Sequence, residues 1–196
     1  WQWLVGDSAT TGTSIGAGSI STGVPSLAST ALVADAGHFA IINYTGNGTG
    51  GATIGHGMSG APEMLWVKER DNANGVIGFD KILRLDTTDD ETGDANAFNS
   101  TAPNANIITL GSNNGTNRDG TSNGNQMICY AFRSVPGVCK IGSYIGNGST
   151  DGPYISTGFK PRWVLYRVID SGTNAYSWTI VDTARSPING PNSMVL

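Results

Sequence analysis

From Phe39 onward, short runs of apolar residues alternate with turns rich in glycine and asparagine. The runs are FAIINY, ATI, EMLWVKERD, VIGF, KILRLD, IITLG and QMICYAF. Short alternating runs are typical of β-strands, and no long stretch keeps the 3.6-residue period of an amphipathic helix. The pattern therefore predicts an all-β fold, arranged as an antiparallel β-sandwich or jelly roll. Residues 1–35 are rich in Ser, Thr, Gly and Ala, which predicts a leading strand followed by an irregular connector.

The chain contains an internal duplication. Segment 37–48 (GHFAIINYTGNG) recurs one hundred positions later at 137–148 (GVCKIGSYIGNG), and PEMLWVKERD is matched by PRWVLYRVID. A long-period repeat indicates a modular architecture and favours scaffolding or binding. We therefore divide the chain into a leading strand with connector (1–35), a first β unit (36–135, the first repeat) and a second, truncated copy packed with it (136–196, the second repeat). We expect the strands of the two copies to superpose from Phe39 and Cys139 onward.

The repeated Asn-Gly pairs predict tight turns. Both central residues of a type I′ turn need a positive φ, which asparagine tolerates and glycine adopts freely. Asn47-Gly48 and Asn147-Gly148 are therefore expected to close two-residue hairpins.

Composition narrows the class of protein. The chain has 28 Gly and 8 Pro, and only 13% of its residues are charged, against roughly 25% in average proteins. The net charge of −4 with eleven scattered basic residues excludes a nucleic-acid partner, which needs clustered Lys and Arg.

No apolar run approaches the ~20 residues that cross a bilayer, so we expect a soluble chain with no membrane partner. The opening WQWLVGDSATTG lacks the features of a signal peptide, and we expect a processed protein or an ordered fragment of a longer one.

Few residues carry metal or redox chemistry. A turn at 134–137 would bring Cys129 near Cys139, which leaves a cross-strand disulfide and two buried thiols as alternatives. His38 and His56, taken with these cysteines, match no zinc spacing. The acidic run 86–94 lacks the spacing of a calcium loop, and a solvated loop is the better interpretation. We therefore expect no metal and no cofactor.

Several motifs carry a family resemblance. They are FAIINYTGNGT from Phe39, IGHG from Ile54, WVKERD from Trp66, NSTAP from Asn99, ITLG from Ile108, CYAF from Cys129, SYIGNGSTDGP from Ser143, TGFKP from Thr157 and DTAR from Asp182. Together they resemble a domain of tailed-bacteriophage virion proteins, found in tail-fibre-like and other appendage proteins and similar to concanavalin-like jelly rolls. The family has no established catalytic residues, so the resemblance implies none here. It implies a location in the virion.

Two binding or catalytic functions compete with a purely structural one. A lectin needs aromatic faces beside amides and carboxylates, and the candidate glycan contacts are Tyr166, Trp178, Asp151 and Asn147. A glycan depolymerase needs two carboxylates about 5–10 Å apart. The candidate pairs are Glu63 with Glu69 and Asp80 with Asp86, but the second repeat has Arg162 and Val168 in place of the two glutamates.

These observations favour a non-enzymatic structural subunit of a bacteriophage appendage, a tail fibre, spike or surface fibre, that contacts host-surface glycan. A lectin-like module is the alternative, and a depolymerase the weaker one. The expected partners are other virion subunits, including copies of this chain, because the apolar ends at 1–5 and 194–196 need cover.

Overall fold

The computed structural model describes residues 13–16, 25–70, 75–78, 81–83, 92–119, 126–169, 176–185 and 194–195. The structural statements below concern these residues. The leading strand predicted at 1–5, the Asp80 and Asp86 pair and most of the acidic run 86–94 lie outside them.

The described chain is mostly strand. In chain order the strands are β1 (Thr13–Ile15), β2 (Ser29–Val33), β3 (Phe39–Thr45), β4 (Thr53–Gly55), β5 (Met64–Glu69), β6 (Gly75–Gly78), β7 (Lys81–Leu83), β8 (Thr92–Gly93), β9 (Ile107–Thr109), β10 (Gln126–Phe132), β11 (Trp163–Tyr166), β12 (Thr179–Asp182) and β13 (Met194–Val195). Two single-turn helices, α1 (Ala95–Phe98) and α2 (Asn114–Asn117), lie on either side of β9. No helix in the described part of the chain has the length and apolar character needed to cross a bilayer.

The strands form three antiparallel sheets. The largest has the order β1-β2-β3-β10-β5-β6-β7-β8, the second pairs β4 with β9, and the third has the order β11-β12-β13. The prediction of an all-β fold with antiparallel sheets is confirmed, whereas the jelly roll stays a prediction. Strand β2 lies in the segment predicted to be an irregular connector, and that prediction is wrong for Ser29–Val33, which alternates buried and half-buried residues beside β3.

One face of the eight-stranded sheet carries the main core. Cys129 of β10 lies directly opposite Ile42 of β3 on one side and Val67 of β5 on the other. Directly opposed residues point to the same face of a sheet, and these three are almost fully buried. The strand pair β4–β9 and helix α1 supply apolar residues of the same cluster, including Ile54, Ile108 and Phe98.

The other face of the sheet carries a smaller aromatic cluster. Phe132 lies 4.9 Å from Phe39 and 4.8 Å from Trp66 between ring centroids. Trp66 is half-buried, as expected for an aromatic residue that packs on a sheet surface. Cys129 lies within the main core and Cys139 beyond the next turn, and both are free thiols. This supports the interpretation of two thiols over that of a disulfide.

A buried asparagine connects helix α2 to the loop after β3. The Asn117 side chain is fully buried. Its Oδ1 accepts from the backbone N–H of Asn47 at 2.8 Å, and its Nδ2 donates to the carbonyls of Thr49 at 2.9 Å and Gly111 at 2.8 Å. Next to it, the Tyr44 hydroxyl donates to the Thr116 carbonyl. These bonds satisfy backbone groups that would otherwise be buried without partners.

The Asn47-Gly48 turn differs from the predicted hairpin. Gly48 has φ 67°, but Asn47 is not among the residues with positive φ. Strand β3 is followed by β4, which pairs with β9 and not with β3. The type I′ prediction is therefore wrong. The Asn47 Oδ1 instead accepts from the backbone N–H of Thr49 at 2.9 Å, an Asx turn that leaves the asparagine backbone in an ordinary conformation.

Substitution of Asn117 tests the importance of this buried link. Asn117→Ala leaves the backbone groups of Asn47, Thr49 and Gly111 without this partner, and we expect it to lower the free energy of unfolding by about 3 kcal/mol. Denaturant unfolding measures the change. The matched control is Asn147→Ala, at an exposed position in the second repeat, with an expected change within about 0.5 kcal/mol. Equal effects of the two substitutions would contradict the assignment of Asn117 as a stabilising link between helix α2 and the loop after β3.

Candidate functional site

The second repeat has the same sheet as part of the first. Strands β5, β6 and β7 follow one another by antiparallel pairing, and so do β11, β12 and β13. Trp66 lies opposite Ile77 in the first repeat, and its sequence counterpart Leu165 lies opposite Ile180 in the second. The predicted equivalence of the two copies therefore holds for β5 and β11.

The equivalence fails over residues 139–145. Their counterparts form β3, which is held between β2 and β10, whereas 139–145 belongs to no strand. Strand β2 precedes β3 in the chain, and β10 holds the corresponding position before residues 139–145. Both edges of β10 are already bonded, one to β3 and the other to β5, so β10 cannot pair with 139–145. Only the single bridge Val135–Cys139 continues from β10. The prediction that the whole of both copies superposes is therefore wrong.

The turns, in contrast, are the same in both copies. Gly48 and Gly148 have φ of 67° and 68°, and Gly57 and Gly158 have φ of 68° and 79°. The Asn147 Oδ1 accepts from the backbone N–H of Ser149 at 3.0 Å, as Asn47 does from Thr49. Asn147-Gly148 is thus also an Asx turn and not a type I′ hairpin. The local conformation follows the sequence even where the surroundings differ.

The second repeat exposes residues whose counterparts form the core of the first. Corresponding positions on the two sheets have opposite environments, because helix α1, strand β9 and strand β10 cover the first repeat alone. The pairs, with relative exposures in the first and second repeat, are Tyr44 and Tyr144 (3% and 51%), Ile54 and Ile155 (0% and 49%), Leu65 and Val164 (0% and 41%), and Val67 and Tyr166 (2% and 39%). Val164 and Tyr166 lie two positions apart on β11 and therefore on the same side of it, and we call this exposed surface the open face.

The four predicted glycan contacts do not form one surface. Tyr166 lies on the open face, opposite Thr179. Trp178 directly precedes β12 and lies on the other side of the sheet, where it is 6% exposed beneath the Arg167 guanidinium, 5.8 Å from the ring centre. Asp151 and Asn147 are exposed in the loop that contains the second Asx turn. Tyr166 and Trp178 therefore cannot stack on the same sugar ring.

The four selected glycan contacts leave out other exposed aromatic residues. Tyr144 is 51% exposed, Tyr154 is 94% exposed and Tyr176 is 45% exposed. The signal for Tyr144 was misleading, because its repeat counterpart Tyr44 is a core residue. Only the packing of the chain distinguishes the two tyrosines.

The candidate catalytic carboxylates Glu63 and Glu69 are engaged in structural contacts. Glu63 accepts from the backbone N–H of Ser134 at 3.0 Å and from its hydroxyl at 2.7 Å. Buried Glu69 pairs with Arg118 at 2.9 Å. Because six residues of extended strand span about 20 Å, Glu63 and Glu69 lie farther apart than the ~5–10 Å that glycoside hydrolysis requires. The second predicted pair lies outside the described residues.

Asp182 in the sequence DTAR also has a structural role. Its carboxylate accepts from the backbone N–H groups of Arg185 and Ala184 and pairs with the Arg185 side chain. The bond from the Arg185 backbone is the main reason why the pKa of Asp182 lies below its usual value. The motif therefore closes a turn after β12.

His56 is held as a neutral side chain. The ring is fully buried. Its Nδ1 accepts from the backbone N–H of Met58 at 3.1 Å, so Nε2 carries the proton and donates to the Asn104 carbonyl at 3.1 Å. Burial lowers the pKa of His56. Both ring nitrogens are occupied, and among the described residues no group of three or more His, Cys, Asp or Glu could hold a metal ion.

Comparison with known proteins gives the family of the chain. A family model described as a domain of unknown function, DUF7483, matches residues 1–196. The chain therefore belongs to the DUF7483 family. No curated protein and no solved structure gave a significant match.

Glycine substitutions in the two repeats test the difference in their surroundings. A Cβ on Gly46 would lie 2.5 Å from the Arg118 carbonyl oxygen, whereas a Cβ on Gly146 would have nothing within 4 Å. We expect Gly46→Ala to lower the free energy of unfolding by about 1–3 kcal/mol, the usual range for overpacking. Gly146→Ala should leave it unchanged or raise it by up to about 1 kcal/mol. Thermal and denaturant unfolding measure both, and a comparable loss in Gly146→Ala would show that the second repeat is covered.

The buried histidine predicts a pH dependence of stability. Below about pH 6.5 the unfolded chain binds a proton at this position, and the folded chain does so only at lower pH. The free energy of unfolding should therefore fall as the pH drops from about 6.5 toward the lowered pKa of His56, and this group should have no effect at higher pH. His56→Gln should reduce the slope measured by denaturant unfolding between pH 7.5 and 5.5.

His38 is the control for this measurement. Burial also lowers its pKa. His38→Gln should therefore reduce the pH dependence of the free energy of unfolding by its own, additional amount. A wild-type stability that does not change between pH 7.5 and 5.5 would rule out the proposed protonation of His56.

Proposed function

We propose that this chain is a non-enzymatic structural subunit of a bacteriophage appendage, located in the virion as part of a tail fibre, spike or surface fibre. Its second repeat contacts other subunits, copies of the chain included, and host-surface glycan. The observation that carries the proposal is the open face. Patches of exposed apolar side chains mark interaction surfaces, and the large apolar side chains of the described residues that exceed about one-third exposure lie between Val138 and Tyr176.

The use of the polar side chains supports a structural role. Glu63, Glu69 and Asp182 are each held by hydrogen bonds or ion pairs within the fold. A catalytic carboxylate pair needs one group free to donate a proton and another free to attack or activate water. These three carboxylates instead stabilise turns and connect strands.

The repeated motifs also support this assignment. Gly46 allows close approach of the Arg118 backbone, and Asn47 is bonded to Asn117. The motif residues that resemble those of phage appendage domains thus have architectural tasks in the first repeat. The resemblance remains the basis for placing the chain in a virion.

A lectin-like module is the second candidate. Tyr154 is 94% exposed, and Asp151 and Asn147 are exposed in the same loop. An exposed aromatic ring beside amide and carboxylate groups is the arrangement that binds sugars, since the ring covers the apolar face and the polar groups bond the hydroxyls. The observation favours a glycan contact at this loop.

A turnover assay separates binding from catalysis. We expect the purified protein to release no reducing sugar from host polysaccharide, and we expect any binding to saturate. Tyr166→Ala and Asp151→Ala should weaken glycan binding and particle adsorption, with Lys160→Ala as an exposed control. Reducing-end release that disappears in Glu63→Gln or Asp80→Asn would establish a depolymerase instead. Unchanged adsorption in Tyr166→Ala and Asp151→Ala would leave the structural role alone.

A further inference from the structure

The third sheet ends in an open strand edge. In the first repeat, β5 is bonded to β10 on one side and to β6 on the other. In the second repeat, β11 is bonded to β12 on one side. Among the described strands none pairs with its other side, which corresponds to the β10 side of β5. An edge of this kind presents backbone N–H and C=O groups to an incoming strand.

The open face lies beside this edge. Val164 and Tyr166 of β11 are 41% and 39% exposed, and their counterparts Leu65 and Val67 lie opposite Ala131 and Cys129 of β10. Backbone pairing and an apolar surface therefore coincide at the same place. This is the combination required for binding by strand addition.

The first repeat shows what occupies the equivalent position. Strand β10 lies between β3 and β5, and helix α2 lies over the loop after β3. There Tyr44 reaches the Thr116 carbonyl and Gly46 contacts the Arg118 backbone. In the second repeat β11 takes the place of β5, and among the described strands none takes the place of β10 beside it.

We propose that β11 accepts an antiparallel strand from a further repeat unit, paired with β11 as β10 pairs with β5. The occupant is a polypeptide segment with small or apolar residues at alternate positions. This goes beyond the proposed function, because it specifies the partner and depends on no assumption about a virion.

Charge supports a partner built from the same kind of repeat. Residues 138–169 carry four basic side chains and one acidic side chain, a net charge of +3, within a chain of net charge −4. Segment 84–132, which completes the first repeat, carries six acidic and two basic side chains, a net charge of −4. A homologous segment would therefore approach a surface of opposite charge.

One position also restricts the sequence of the occupant. In the first repeat Glu69 pairs with Arg118 at 2.9 Å. Its counterpart in the second repeat is Val168, which is 43% exposed. An arginine in the docked strand at the position equivalent to Arg118 would face Val168 and would have no ionic partner there. The natural occupant should therefore have an uncharged residue in place of Arg118.

The chain cannot supply this strand from its own β10 without unfolding. Both edges of β10 are bonded, and Met127, Cys129 and Ala131 are fully buried in the main core. A second folded copy has the same constraint. The strand must come from a repeat unit in which the segment equivalent to β10 is not already paired.

The test uses the full chain and a synthetic peptide with the sequence of residues 112–132, in which Arg118 is replaced by Ala and the thiol is kept reduced. We expect saturable one-to-one binding by calorimetry. Hydrogen exchange should show new protection in Trp163–Tyr166, because this strand acquires a hydrogen-bonded neighbour. A peptide that also carries Ala131→Asp should bind at least about tenfold more weakly, since a carboxylate would enter the apolar contact.

Variants of the chain make the test specific. Val164→Asp should weaken peptide binding by about tenfold or more while leaving the stability of the free chain unchanged, because a carboxylate would enter the apolar contact. Val138→Asp is the matched control. Val138 is exposed in the turn before the second repeat, and we expect full binding.

Three outcomes would overturn the proposal. They are no new protection of Trp163–Tyr166 with the wild-type peptide, equal binding by Val164→Asp and Val138→Asp, and protection of the same edge in the free chain through self-association. The last result would identify a second copy as the partner. Binding of host polysaccharide at the open face in place of the peptide would instead identify the surface as a glycan site.

Discussion

A strand has two edges, and the use of both edges of β10 determines the arrangement of the whole chain. Strand β10 pairs with β3 and β5, which joins the beginning and the middle of the first repeat into one sheet. Its inward residues, including Cys129, complete the main core. Once both edges are bonded, the chain that follows cannot fold back on β10. Residues 139–145 therefore lie outside any strand, although their sequence repeats that of β3.

The first repeat is closed by polar contacts as well as by apolar burial. Asn117 joins the loop after β3 to helix α2, and Tyr44 adds a bond to the Thr116 carbonyl. The backbone groups that these side chains bind are buried, and a buried amide or carbonyl without a hydrogen-bond partner would lower the stability of the fold. The counterparts of Tyr44 and Asn47 in the second repeat are Tyr144 and Asn147, and among the described residues no helix equivalent to α2 covers them. The two repeats therefore share a local design but differ in the exposure of equivalent residues.

The two repeats use their side chains differently. The first repeat uses its aromatic and acidic side chains internally, as the ion pair of Glu69 with Arg118 illustrates. The second repeat presents Tyr166 and Val164 at the surface beside an unpaired strand edge. Interaction surfaces of proteins commonly combine such apolar patches with positioned polar groups. A surface of this kind suits assembly, and it supports the proposal of a subunit that joins others.

The sequence by itself determined the class of fold, the strand runs and the turns. These features depend on side-chain alternation and on the conformational freedom of glycine, which act over a few residues, as Gly48 and Gly148 show by their equal φ angles. Tertiary structure alone decided which strands pair, that Tyr44 is buried while Tyr144 is exposed, and that Tyr166 and Trp178 face opposite sides of their sheet. The physical reason is that burial depends on partners distant in the chain, and a repeated sequence does not ensure that each copy finds them.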